Sequence, residues 1–302
     1  MLKIIGYHYV NDKNYSVFKN LKSLKIKKFQ KQIKFLKKNF NIISLKELSD
    51  RKKLPKKSVL LTFDDGYLDH YKNVFPILCK EKISGVFFAP VSTLKQKEIL
   101  DVNKIQIILH SSKNKKKIFN DLCLEIKKQK LDIHYYLRLI DKFKKDYDLR
   151  WHGKYSNNIR NLLQYIIPKK NRKIIINNLF VKIYKYDQKN LIKKMYLNIE
   201  QAKEMIKNGM YFGSHGSSHE WLEYLNYRDQ YKELENSKKV ILELGMKKNL
   251  LSICYPFGSY NNKTLKIAKK LNYKVGFANY SENVKNLKKQ ILNLPRIDTN
   301  EI

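Results

Sequence analysis

The sequence predicts an α/β fold, a distorted (β/α) barrel of about seven parallel strands interrupted by a helical insertion. Three observations carry that expectation. Short apolar runs recur along the chain, helical patterns separate them, and clusters of polar residues follow several runs at their C-terminal ends. Strands alternating with helices imply a parallel sheet, and seven or eight such units imply a closed barrel rather than an open sheet. A chain of 302 residues can bury a core of that size as a single domain.

In chain order the strand candidates are Lys3–His8, Ser58–Phe63, Gly85–Ala89, Met210–Ser214, Leu250–Tyr255, Lys274–Ala278 and Leu292–Leu294. Between the first two, Ile26, Phe29, Ile33, Leu36 and Phe40 alternate spacings of three and four, the pattern of an amphipathic helix. Ile199–Asn208 reads as a helix ended by Gly209, Asp229–Leu244 as one ended by Gly245, and Asn262–Leu271 as a third. From about 95 to 194 the chain is lysine-rich and helical in character, with weak strand signals. This segment reads as an insertion within one domain spanning 1–302, serving either as a lid over the site or as a compact extra body of structural use. No internal repeat is visible.

Hydrophobic residues make up 43% of the chain, which excludes disorder on composition. The 63 Lys and Arg against 27 Asp and Glu give a formal net charge of +36. Such a balance points either to an anionic partner or to compositional bias, since the excess is mostly lysine spread among many Asn and Ile. No nucleic-acid-binding motif is present, so no nucleic-acid partner is expected, while contact with an anionic membrane surface stays open through the lysines. Cys79, Cys123 and Cys254 are odd in number and lack metal-type spacing, so a disulfide framework is not expected. The apolar run in "MLKIIGYHYV" is too short for a signal peptide or a membrane span. A cytoplasmic location, with or without association at the inner membrane face, is the expectation.

The stretch "SVLLTFDDGYLDHY" runs a buried strand straight into Asp64, Asp65 and a glycine. Adjacent carboxylates repel, and desolvating them is unfavourable unless a cation compensates. An Asp-Asp-Gly turn closing a strand is one reading; a metal ligand beside a base is the other. A second cluster, "YFGSHGSSHEWL", places His215 and His219 four residues apart among glycines and serines, arguing for a strand end entering a loop. "SICYPFGSYN" and "IIGYHYV" repeat the arrangement, with Phe257 and His8 just past their strands. In a parallel barrel all these strand ends share one face, where active sites sit. That convergence favours the metal reading.

"TFDDG", the His-x-x-x-His pair and Pro-Phe-Gly, with "GVFFAP" downstream, resemble the NodB-type polysaccharide deacetylases of carbohydrate esterase family 4, over roughly 1–92 and 195–298. The resemblance implies Asp64 as catalytic base, Asp65, His215 and His219 as metal ligands, and the Phe257 backbone N–H as part of an oxyanion hole. Two positions depart from the family pattern. Cys254 stands where members often carry arginine, and "LNLPRID" replaces the late Leu-x-His motif that carries the general acid. A branch resembling the deacetylases of poly-N-acetylglucosamine export permutes the motifs and takes its acid from an N-terminal Tyr-His strand. "YHYV" fits that branch, which makes His8 the candidate acid, with His110 and His152 next in line. Arg296 either replaces the missing arginine beside Asp64 or forms a structural salt bridge.

One carboxylate and two imidazoles suit zinc, and also cobalt, nickel or manganese. The activity expected is removal of an N-acetyl group from an amino-sugar, in a polysaccharide or in a lipid- or nucleotide-linked saccharide precursor. Deformylation of a lipid-linked formamido-sugar is the competing activity, and a catalytically inactive glycan-binding barrel the competing class.

Overall fold

The computed structural model describes residues 1–12, 23–50, 54–142, 153–185 and 187–302; His152 lies outside them. The chain divides into two compact units. A barrel unit draws on Met1–Lys13, Lys22–Glu98 and Lys189–Ile302, and a helical unit includes Ile99–Gln188.

Among the described residues, eight strands build the barrel unit: β1 (Leu2–Tyr7), β2 (Asn41–Ile42), β3 (Ser58–Asp64), β4 (Val86–Ala89), β5 (Tyr211–Ser214), β6 (Ser252–Cys254), β7 (Val275–Phe277) and β8 (Ile297–Asp298). Seven of them follow one path, β7-β6-β5-β4-β3-β1-β8, and β2 adds a short pairing to the start of β3. Every pairing is parallel. The sheet is a distorted (β/α) barrel. Its seam is irregular: one side of β8 pairs with β1 through only Ile5 and Gly6, and the segment before β8 bonds to β7. There Leu294 N–H donates to the Gly276 carbonyl (2.8 Å) and Ala278 N–H to the Leu294 carbonyl (2.9 Å).

One strand expectation is corrected at this seam. Leu292–Leu294 is not a strand; only Leu294 bridges to Phe277, and the last strand is Ile297–Asp298. Pro295 lacks an N–H and interrupts the ladder between them. Asn41–Ile42, two residues long, carries no sequence signal of its own.

In register, Tyr7, Phe63, Phe87 and Phe212 lie side by side across β1, β3, β4 and β5. Their rings stack at centroid distances of 5.0, 4.7 and 5.6 Å, each contact worth about 0.5–1.5 kcal/mol beyond its buried area. Phe29, on the helix Ile26–Asn39, meets both Tyr7 (5.2 Å) and Phe63 (6.1 Å), so this aromatic row faces the surrounding helices. Side chains alternate along a strand, so Gly6, Thr62 and Asp64 face the opposite way, into the barrel. The aromatic packing thereby fixes the orientation of Asp64.

Helices cover the sheet, and their starts follow from local chemistry. Asn198 with Gln201 and Asn261 with Thr264 form reciprocal caps opening Ile199–Lys207 and Asn262–Lys270. Asn226 caps Tyr227–Glu243. The helical unit contains Asp101–His110, Lys115–Lys128, Ile133–Lys142, Gly153–Asn161 and Lys169–Ile183. It has apolar residues of its own to bury, among them Ile108, Leu122, Ile126, Ile175 and Phe180. His110 lies in this unit, at the end of its first helix. Among the described residues no helix is long and apolar enough to cross a membrane.

Candidate active site

β3 delivers Asp64 at its last position, and the chain then turns sharply. Asp65 (φ 72°) and Gly66 (φ 65°) both adopt left-handed backbone. A Cβ on Gly66 would lie 2.7 Å from the Ala89 Cβ, so only glycine fits there. His219 (φ 59°) and Phe257 (φ 58°) are also left-handed. Such backbone costs of order 1–3 kcal/mol per non-glycine residue and persists only where its surroundings over-determine it. Three of these strained positions lie together at one rim of the barrel.

The structure brings all seven residues singled out in the sequence to that rim. His8 follows β1, Asp65 follows β3, His215 and His219 follow β5, and Phe257 follows β6. Arg296 reaches the same place from the seam, just before β8. Its Nη1 donates to Asp64 Oδ1 (2.8 Å) and its Nη2 to Asp64 Oδ2 (2.7 Å), a two-pronged pairing across 232 positions of sequence. Nη1 also reaches Thr62 Oγ1 (3.2 Å) and Nε donates to the Ala278 carbonyl (3.0 Å). The guanidinium packs over Gly6 of β1, where a Cβ would lie in ordinary contact with Arg296 Cζ at 3.5 Å. Burial pushes the Asp64 carboxyl up, but the neighbouring Arg296 charge outweighs it and holds the group at about 2. Cys254, at the position where arginine was expected, places its Sγ 3.6 Å from Asp64 Oδ2, and burial pushes its thiol up.

Asp65 is treated differently. Tyr67 OH donates to Oδ2 (2.7 Å), whereas the buried Oδ1 accepts no hydrogen bond. Facing Oδ1 are His215 Nε2 at 3.4 Å and His219 Nε2 at 3.1 Å. The His215 Nδ1 lies 2.7 Å from the Cys254 carbonyl oxygen, so Nδ1 carries a hydrogen and donates, which turns Nε2 towards Asp65. Burial pushes this ring down, but the Cys254 and Asp65 groups beside it outweigh burial and hold it well above the usual histidine range. Burial pushes the Asp65 carboxyl up, but the two neighbouring imidazoles outweigh it and keep it well below the usual carboxylate range. Burial pushes His219 down, towards the neutral ring that can ligate. One anionic oxygen and two imidazole nitrogens, all within 4.8 Å of one another, are a donor set that fits a divalent cation.

The loop bearing both histidines is pinned from outside. Glu233, on the helix Tyr227–Glu243, accepts from Ser217 N–H (2.8 Å), Ser218 N–H (3.0 Å) and Ser218 Oγ (2.6 Å). The Phe257 ring stands edge-on to His219 (4.6 Å) and stacks on Trp221 (4.5 Å, 8° between planes). His8 is 45% exposed at its side chain, with Nε2 3.8 Å from Asp64 Oδ2. Sequence reasoning did not assign parts to Thr62, Tyr67, Glu233 or Trp221. Tyr67 and Trp221 stand inside the quoted motifs, but Glu233 gives no signal beyond its place on an amphipathic helix.

A parallel barrel with carboxylates and imidazoles gathered at the C-terminal ends of its strands defines an enzyme-like site. The polysaccharide deacetylase family model matches residues 51–122 and 179–276. The chain belongs to the polysaccharide deacetylase family, the NodB-type group of carbohydrate esterase family 4. YxkH of Bacillus subtilis (strain 168), provisionally named a polysaccharide deacetylase, is 36% identical over 88 residues, which are 29% of this chain and 31% of YxkH. The match thus spans less than a third of that relative. Among solved structures, the Streptococcus pyogenes deacetylase PplD, crystallised with acetate, superposes with a TM-score of 0.58 at 20% identity, covering 98% of this chain and 91% of PplD. IcaB from Ammonifex degensii gives a TM-score of 0.56 at 16% identity, covering 99% and 91%. At these identities the structural likeness is one of fold.

Proposed function

We propose that the protein is a metal-dependent N-deacetylase. Its substrate would be an amino-sugar, in a polysaccharide or in a lipid- or nucleotide-linked saccharide precursor. The observation that carries the reading is the unequal treatment of two adjacent aspartates. Asp64 has a guanidinium across both oxygens, while the Asp65 Oδ1 is buried without a donor, opposite two imidazole nitrogens.

Asp65, His215 and His219 would hold the ion, zinc being the first expectation and cobalt, nickel or manganese the others. When bound, a divalent ion there supplies Lewis acidity to the amide carbonyl and to an attacking water. The remaining steps belong to this chain's own side chains. Asp64, kept ionised and fixed in plane by Arg296, accepts the proton of the attacking water. The Phe257 N–H, at the turn after β6, would donate to the developing oxyanion. His8, accessible to solvent and close to Asp64, gives a proton to the departing amine, which is otherwise a very poor leaving group.

The net charge of +36 supports approach to an anionic surface, and a precursor met at the inner membrane face would suit it. The test is a mass-spectrometric screen of N-acylated amino-sugars and their lipid- and nucleotide-linked forms with metal-loaded protein. Loss of the acetyl mass is expected. Loss of the formyl mass alone would replace deacetylation by deformylation, and no turnover of any of them would favour a glycan-binding role.

A further inference from the structure

Nothing in the mechanism so far explains what holds His8. Its ring is substantially exposed and lies past the end of β1, where the sheet no longer fixes the backbone. The residues around it are nevertheless tied at almost every polar atom, and largely by one element. That element is the segment Tyr67–Asn73, which includes the start of the wide π-helical turn His70–Val74.

His70 Nε2 lies 2.6 Å from the His8 carbonyl oxygen, so it carries the hydrogen and donates. Its other ring nitrogen is buried without a partner, leaving a single bond that the ring can make. Asp69 Oδ2 accepts from Val10 N–H (2.9 Å) and from Asn11 Nδ2 (3.0 Å). Asn73 Nδ2 donates to the Val10 carbonyl (2.8 Å). The Tyr9 ring stacks on Tyr67 at 4.0 Å, and Tyr67 in turn donates to Asp65. Asp69 and His70 are both fully enclosed in the barrel unit.

We propose that His70, seconded by Asp69 and Asn73, is a positioning residue that sets His8 for proton delivery to the leaving amine. This deepens the reading of His8 as the acid and rests on it. The turn that begins with Asp64 and Asp65 continues directly into the residues that grip His8. Base, ligand and acid are therefore located by one continuous stretch, Asp64–Asn73, rather than by three independent loops. A simple structural staple would use the same bonds but would have no preference among substrates.

The experiment compares an N-acetylglucosamine oligomer, whose amine needs a proton to leave, with 4-nitrophenyl acetate, whose leaving group does not. His8→Gln is the reference and should lose amide turnover while retaining ester turnover. His70→Leu should reproduce that split. Its kcat on the amide should fall at least about tenfold, inside the range of about 10²-fold that a misplacement of 1 Å can cause. KM, metal content and ester turnover should stay close to wild type. His70→Gln, whose amide nitrogen can reach the His8 carbonyl, should restore most of the loss. Equal losses on both probes, or no rescue by glutamine, would overturn the proposal while leaving the role of His8 intact. If His70→Leu does not fold, Asn73→Ala decides: a smaller amide-selective loss supports the proposal, and a non-selective loss overturns it. Should His8→Gln show no selectivity, the acid assignment itself fails and the positioning role with it.

Discussion

Glu125 in the helical unit and Asp65 at the barrel rim are both acids with almost no exposed surface, 1% and 5%. Their oxygens meet different surroundings. Glu125 Oε1 accepts from Lys128 (2.8 Å) and Lys182 (2.9 Å), and Oε2 accepts from Asn178 (2.9 Å). Each oxygen has a donor, and two lysines answer one negative charge. Asp65 has a donor on one oxygen only, and its other oxygen is turned towards two imidazole nitrogens. A carboxylate completed by its own chain holds helices together. One left incomplete beside imidazoles is arranged for something that arrives.

Removing the pieces of each site should separate them sharply. The largest effect is expected for His219→Ala or Asp65→Asn. Elemental analysis should fall from roughly one divalent ion per chain to almost none, turnover should vanish, and circular dichroism should stay native. A chelator should do the same to the parent protein, reversibly. Full metal content in both variants would remove the distinction between Asp65 and Glu125.

Next comes Asp64→Asn, which keeps the shape and the ligands and removes the base. Turnover should drop by at least about 10²-fold with the metal retained, and unchanged turnover would break the proposed mechanism.

Arg296→Met tests the paired neighbour. It strands a buried carboxylate, and denaturant unfolding should show a loss of about 3–5 kcal/mol at neutral pH. The sign with pH follows from the direction of the shift. Asp64 is held down from 3.8 to about 2, so the stability it lends is complete above about pH 4 and disappears as pH falls through 2. In the variant, burial without the arginine raises the same group, and acid neutralises it. The stability gap between variant and parent should therefore narrow from pH 7 towards pH 3; a constant gap would argue against the pairing.

The smallest effect belongs to Glu125→Gln. The lysines around it are half-exposed and screened, so a destabilisation of about 1 kcal/mol is expected, with metal content and turnover unchanged. Metal loss there would show that the helical unit's carboxylate shares in the site.

Much of the barrel was legible because its strands are short apolar runs closed by turn residues. Ser58–Phe63 and the observed Ser58–Asp64 differ by one position, and the helix expected from Ile26, Phe29, Ile33 and Leu36 is present as Ile26–Asn39. The seam was misread because Leu292–Leu294 has strand composition but bridges to a strand only at Leu294, with Pro295 breaking the ladder. In the site, residues adjoining strand ends could be found by that position. Their partners could not. Glu233 serves Ser217 from a helix of otherwise ordinary pattern, and His70 reaches the His8 carbonyl across 62 positions. Pairings of that kind exist only after the chain has closed on itself, so no local window of sequence contains them.

The seam has a bearing on how the molecule assembles. β8 joins β1 through two residue pairs, and the guanidinium just ahead of it neutralises an aspartate 232 positions earlier. Contacts separated so far in sequence carry a large closure cost, because a long stretch of chain must lose its freedom to make them. Until that docking occurs, β3 can bury its apolar residues but must leave Asp64 hydrated or protonated. Docking of the seam thus also switches on the electrostatics of the site, and a chain without it would hold its aspartates without the geometry to use them.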